Sequence, residues 1–209
     1  THHEAFAASG FFVSRDGWLI TSAKALSLDP LTHELEPGYV IKIVTEAGTF
    51  SVLDIHLNKD QSIAAVKVPG NFHPLPLSDS DEIAKETLMF AISLDSPAGG
   101  NFVPQILKGI ENQVSNEPFF TLNTTEIADS LSNFMVFNSL GQVSGFALPP
   151  EHPGATKLSA VKINEIKDFL KNSIPGIALE ESQTQRKPSE VVLMDHARKG
   201  TAMVVVYRE

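Results

Sequence analysis

The side chains able to do chemistry in this 209-residue chain are hydroxyls, amines and carboxylates. There is no cysteine, which removes disulfides, thiolate nucleophiles and thiolate metal sites. The seven histidines form no i, i+4 pair and no paired-ligand spacing, so no metal site and no cofactor are expected. Gly99-Gly100 reads as a plain turn, since no helix opening on Lys-Ser/Thr follows to make a phosphate cradle. The chain is organised around Asp129-Ser130-Leu131-Ser132-Asn133, where two hydroxyls lead straight into a β-hairpin. Phe134 to Phe137 and Val143 to Phe146 are its apolar arms, and a short turn containing Gly141 joins them.

The elements that must position this stretch are short strands. Phe11-Phe-Val13 and Trp18-Leu-Ile20 flank Arg15-Asp-Gly17, a strong hairpin signal. Ser27 to Gly38 is a loop broken by Pro30 and Pro37. Tyr39 to Val44 alternates as a half-buried strand and turns at Glu46-Ala-Gly48 into Thr49 to Leu53. Ile63 to Val68 follows. Later strands are expected at Thr87–Ser93, Phe102–Ile110, Pro118–Leu122 and Lys157–Val161. Strands at roughly 8–12-residue spacing, separated by turn residues, indicate an all-β barrel or sandwich. One helix interrupts them: Asn164 suits an N-cap, Ile163, Ile166, Phe169 and Leu170 share a face, and Pro175-Gly176 stops it. Beyond a polar linker at 178–189, Val191–Met194 and Ala202–Tyr207 read as a C-terminal β-hairpin.

Composition limits the partners. The net charge of −9 disfavours nucleic acid and anionic membrane, both of which reward basic patches. With 42% hydrophobic and 20% charged residues, the balance is that of an ordinary globular protein. No apolar run approaches a membrane span. Thr1-His2-His3 reads as a tag remnant, and the start resembles no signal peptide, which fits a trimmed mature domain or a cytosolic protein.

Four stretches together resemble the HtrA/DegP branch of the trypsin-like serine proteases. Ala8-Ser-Gly-Phe-Phe-Val-Ser-Arg-Asp-Gly-Trp-Leu-Ile-Thr21 is similar to that family's opening hairpin. Pro74-Leu-Pro-Leu-Ser-Asp-Ser-Asp81 resembles its inter-barrel segment. Ser132 to Val143 matches the region of its Gly-Asn-Ser-Gly-Gly-Pro-Leu and the hairpin that follows. Ser159-Ala-Val-Lys-Ile-Asn164 resembles its closing strand and C-terminal helix. Residues 8–172 are covered, in order and without a gap at the serine. The resemblance implies two perpendicular six-stranded β-barrels with a cleft between them. It also suggests a periplasmic or otherwise extracytoplasmic bacterial setting, and absence of cysteine suits this. No PDZ domain, often appended in that family, is recognisable after Pro175.

Carried over position by position, the resemblance puts Lys24 where the family has its base histidine, Ser62 where it has the orienting aspartate, and Ser132 on the nucleophile. A serine hydroxyl needs a neighbouring base, and that base an orienting partner. Oxyanion stabilisation further requires backbone N–H groups turned into the cleft. The family's glycines allow that loop, whereas here Ser130, Leu131, Asn133 and Phe134 bring side chains into it. Phe134 is expected to project near the substrate path. Lys162 replaces a family proline near the specificity wall. Asp60, two residues before Ser62, would lie about 6.6 Å further along an extended strand, too far to substitute. His33 and His56 read as solvated loop or strand-edge residues.

The sequence therefore reads as a degenerate trypsin-like domain, a pseudoprotease acting as a protein-binding scaffold or as an assembly or regulatory factor. Its partners would be proteins, an active relative or a larger assembly among them, and oligomerisation is left open. A Ser132–Lys24 dyad hydrolase is the enzyme alternative, since Ser–Lys pairs can activate a serine. A metal- or ligand-binding domain on the former cleft is the third. The expected organisation is an N-terminal barrel at 1–78, a C-terminal barrel with closing helix at 79–175, and a linker with hairpin at 176–209.

Overall fold

A computed structural model describes residues 3–29, 31–79, 88–95, 103–111, 118–124, 133–150, 154–180 and 186–208. Thirteen strands are seen among them. β1 (His3–Phe12), β2 (Trp18–Ser22), β3 (Tyr39–Thr45), β4 (Gly48–Ser51), β5 (Asp54–Leu57) and β6 (Ile63–Lys67) come from the first third of the chain. β7 (Leu88–Asp95), β8 (Val103–Glu111), β9 (Phe119–Thr124), β10 (Phe134–Phe137), β11 (Val143–Ala147) and β12 (Lys157–Lys162) follow. Helices α1 (Ile163–Ser173) and α2 (Glu190–Gly200) precede the last strand, β13 (Thr201–Arg208). No helix among the described residues is long and apolar enough to cross a membrane.

Strands β7 to β12 close into a six-stranded barrel, in the order β10-β11-β12-β9-β8-β7. The first sheet has seven strands, ordered β4-β3-β13-β1-β2-β6-β5. The second half is thus the expected six-stranded barrel, whereas the first is an open seven-stranded sheet rather than a second six-stranded barrel. Strand β13 pairs antiparallel with β1 on one side and β3 on the other, so the C-terminal segment is built into the N-terminal sheet.

The expected C-terminal hairpin does not form. Val191–Met194 lies in helix α2, where Ser189 is the N-cap and its hydroxyl accepts the Val192 N–H at 3.4 Å. Leu193 and Ala197, four residues apart, are buried, while Val191 and Val192 are exposed. Asp195 bonds Arg198 and Lys199 at 2.9 and 2.8 Å, the i+3 and i+4 pairs of a helix surface. A run of four apolar residues suits either element. The cap and the buried spacing make it a helix, and β13 finds its partners far away in sequence.

Two smaller differences concern boundaries. The strand from Thr49 ends at Ser51, and β5 is a separate strand paired with β6. Helix α1 is capped by Lys162 in extended conformation without a side-chain bond, and Asn164 lies inside the first turn.

Three apolar clusters explain why the strands carry unbroken hydrophobic pairs. Phe12, Leu19, Val66 and Val204 fill the first sheet's own core. Phe134, Val136, Phe120 and Leu158 fill the second barrel. Between them, Phe11, Ile20, Met135, Phe137 and Phe146 join the buried residues of α1 and α2. In β10 the alternation is plain: Phe134 and Val136 enter the barrel, Met135 and Phe137 enter the shared core. A strand covered on both faces is apolar throughout.

Candidate functional site

The β1–β2 hairpin places the base position. Gly17, at φ +99°, makes the turn, and β2 delivers Thr21 and Ser22 to a short 3-10 turn at Ala23–Leu26. Lys24 sits in that turn and is exposed, while its neighbours Ala23 and Ala25 are buried. The Ala23 N–H donates to the Ser62 carbonyl at 3.1 Å. The 3-10 turn that carries Lys24 is therefore tied by the backbone to the turn that carries Ser62.

Around Ser62 the chain is a tight turn. Gln61 adopts φ +56°, and Asn58 N–H donates to the Ile63 carbonyl at 3.1 Å. Asp60 folds back: its Oδ1 accepts from Ser62 Oγ at 2.7 Å, from Ser62 N at 3.1 Å, and from the Asn58 amide at 2.5 Å. Asn58 Nδ2 also reaches Ser62 Oγ at 3.1 Å. Partial burial works against ionisation of Asp60, but the Ser62 hydroxyl and N–H and the Asn58 amide outweigh it and hold the carboxyl below its ordinary range. The segment is not an extended strand: the Asx-type turn folds the Asp60 carboxylate back onto the Ser62 hydroxyl and N–H. The signal was present as Asn-x-Asp-x-Ser at 58–62.

On the nucleophile side, Ser130, Leu131 and Ser132 lie outside the described residues. Asn133 is fully buried, and its Nδ2 donates to the Ser9 carbonyl in β1 at 3.4 Å. Thr21 Oγ1 donates to that same carbonyl at 3.0 Å. The residue after Ser132 and the strand leading to Lys24 therefore converge on one backbone oxygen. Asn133 Oδ1 is buried without a hydrogen-bond partner among the described residues. Phe134 departs from expectation: it is fully buried among Phe120, Val136 and Leu158 inside the second barrel, not beside the cleft. Strand alternation decides this, because Phe134 shares its face with Val136.

A family model for the trypsin-like peptidase domain matches residues 8–146. The chain belongs to the trypsin-like peptidase family. None of the curated proteins compared with it matches.

Within this trypsin-like domain, Ala23 bonds the Ser62 carbonyl, and Thr21 and Asn133 share the Ser9 carbonyl, so these segments are linked through β1 and β2. No group of three or more metal-ligating side chains occurs among the described residues. His33 is exposed in a loop with Nε2 3.0 Å from the Gln61 amide nitrogen. His56, on β5, contacts Asp54 at 3.1 Å. Neither is among the groups that hold Ser62. Lys162, at the end of β12, donates its N–H to the Pro118 carbonyl at 2.9 Å.

Proposed function

We propose that this trypsin-like domain is a pseudoprotease of the HtrA type that binds proteins, as a scaffold, an assembly factor or a regulator of an active relative. The observation that carries the reading is the state of the orienting position. Ser62 stands there, its hydroxyl engaged by Asp60 and Asn58, and the base position beside it holds an exposed Lys24. A lysine acts as a general base only when desolvated, and an exposed ammonium is not. Barrel cores do not depend on triad residues, so the shell persists without the chemistry. The extracytoplasmic bacterial setting rests on the HtrA resemblance and belongs to the same proposal.

The test is labelling with a fluorophosphonate probe, comparing the native chain with Ser132→Ala and Lys24→Ala. The expected result is no labelling of any of the three across pH 6–10. Labelling lost in both variants would establish a Ser132–Lys24 hydrolase and overturn the scaffold reading.

A further inference from the structure

A cavity of about 610 Å³ opens between the turn at 57–60 and helix α1. Leu57, Phe119, Val161 and Phe169 give it an apolar floor, and Glu165, Asp168 and Asp60 stand around it. Glu165 and Asp168 are both exposed and have no ion-pair partner among the described residues. Lys59 is the one basic residue that lines it among the described residues. A volume of this size suits a ligand rather than a single water (pockets that hold ligands run roughly 300–1,000 Å³).

A second cavity of about 390 Å³ shares Leu57, Asn58 and Lys59 with the first and continues along Ile55 and His56. These residues belong to or follow β5, which is the last strand of its sheet. A terminal strand presents N–H and C=O groups to an incoming extended chain. The two cavities therefore follow the strand edge, with the carboxylates gathered at one end.

We propose that this groove binds an extended peptide segment of a partner protein in which a basic side chain alternates with apolar ones. The peptide main chain would run along β5. Its apolar side chains would reach Leu57, Phe119 and Phe169, and an arginine or lysine would meet Glu165 and Asp168. Charge selects the occupant: three carboxylates against one lysine disfavour an acidic or phosphorylated segment and favour a cationic one. This inference rests on the protein-binding reading above and names the chemistry of the partner.

The experiment is fluorescence anisotropy with a labelled Val-Arg-Val-Arg-Val-Arg peptide against its Val-Glu counterpart, at low salt, on the whole chain. The arginine peptide should bind at least about 10-fold more tightly. Glu165→Gln with Asp168→Asn should weaken it about 10-fold while leaving the circular dichroism spectrum unchanged. Glu46→Gln with Glu190→Gln, the same charge change on exposed residues that line neither cavity, should leave binding within 2-fold. Equal weakening by both pairs would reduce the attraction to overall negative charge and overturn the proposal, as would no binding of the arginine peptide. The fluorophosphonate result is read separately: Ser132-dependent labelling would defeat the scaffold reading whatever the peptide does.

Discussion

Asn133 links the two halves of the molecule: its Nδ2 donates to the Ser9 carbonyl at 3.4 Å, the oxygen that Thr21 Oγ1 holds at 3.0 Å. The Asn133 amide is thus a structural tie between the segment that opens β10 and strand β1. The tie is incomplete, since Asn133 Oδ1 is buried without a partner among the described residues. An unsatisfied buried acceptor costs about 1–3 kcal/mol, while one long hydrogen bond returns about 0.5–1 kcal/mol. Asn133→Leu, similar in size, should leave stability unchanged or raise it by up to about 2 kcal/mol in urea unfolding. A loss above 1 kcal/mol would show that the amide, not the packing, holds this junction.

Strand β13 lies between β1 and β3 and buries Val204 and Val206 in the first sheet's core. Deleting residues 201–209 should abolish cooperative unfolding of the N-terminal half, because it strands two ladders at once. A milder probe is Val204→Ala, expected to cost about 1.5–3 kcal/mol through lost methyl burial and the cavity left behind. Val191→Ala, on the exposed face of α2, should stay within about 0.5 kcal/mol. If both valines cost the same, β13 is not built into the core.

Rebuilding the triad should not rebuild the enzyme. The double change Lys24→His with Ser62→Asp supplies a base and an acid but leaves the non-glycine residues at 130–134, which on the pseudoprotease proposal do not form an oxyanion hole. No fluorophosphonate labelling is expected from it. Adding Phe134→Gly to imitate the family should cost about 4–5 kcal/mol, since the ring is part of the second barrel's core. Labelling of the double variant alone would show that the loop is competent and that only the triad was missing.

The Asp60–Ser62 turn has a pH signature. Ser62 and Asn58 keep the folded-state Asp60 carboxyl below its ordinary value, so the unfolded chain takes up that proton first as the pH falls. Its contribution is full above about pH 4–5 and is lost as the pH drops through the lower folded value. The carboxylate is largely exposed, which keeps the effect near 0.5–1 kcal/mol. Asp60→Asn should lower the urea midpoint at pH 7 and converge with the native protein below about pH 3. A gap that persists at pH 2.5 would mean that the charge of Asp60 is not what the turn uses.

Much of this protein was legible in the residues. Asp16-Gly17 marked the first hairpin, Phe134–Phe137 and Val143–Phe146 the central one, and Ile163 to Leu170 the helix, because each signal is local. The family could be read from the order of those signals. Positions 24 and 62 were singled out only through the resemblance, and what the structure adds is the Ala23–Ser62 backbone bond.

Three features were decided only by the tertiary structure. Val191–Met194 is helical because Ser189 caps it and Leu193 and Ala197 have a core to enter. Phe134 faces the barrel interior because its strand is sandwiched between two cores. Strand β13 lies beside β1, across nearly the whole length of the chain. Turns, caps and periodicity act over a few residues and are written in the sequence itself. Strand neighbours and the choice between two buried faces depend on which distant surfaces are available, and those exist only once the chain has folded.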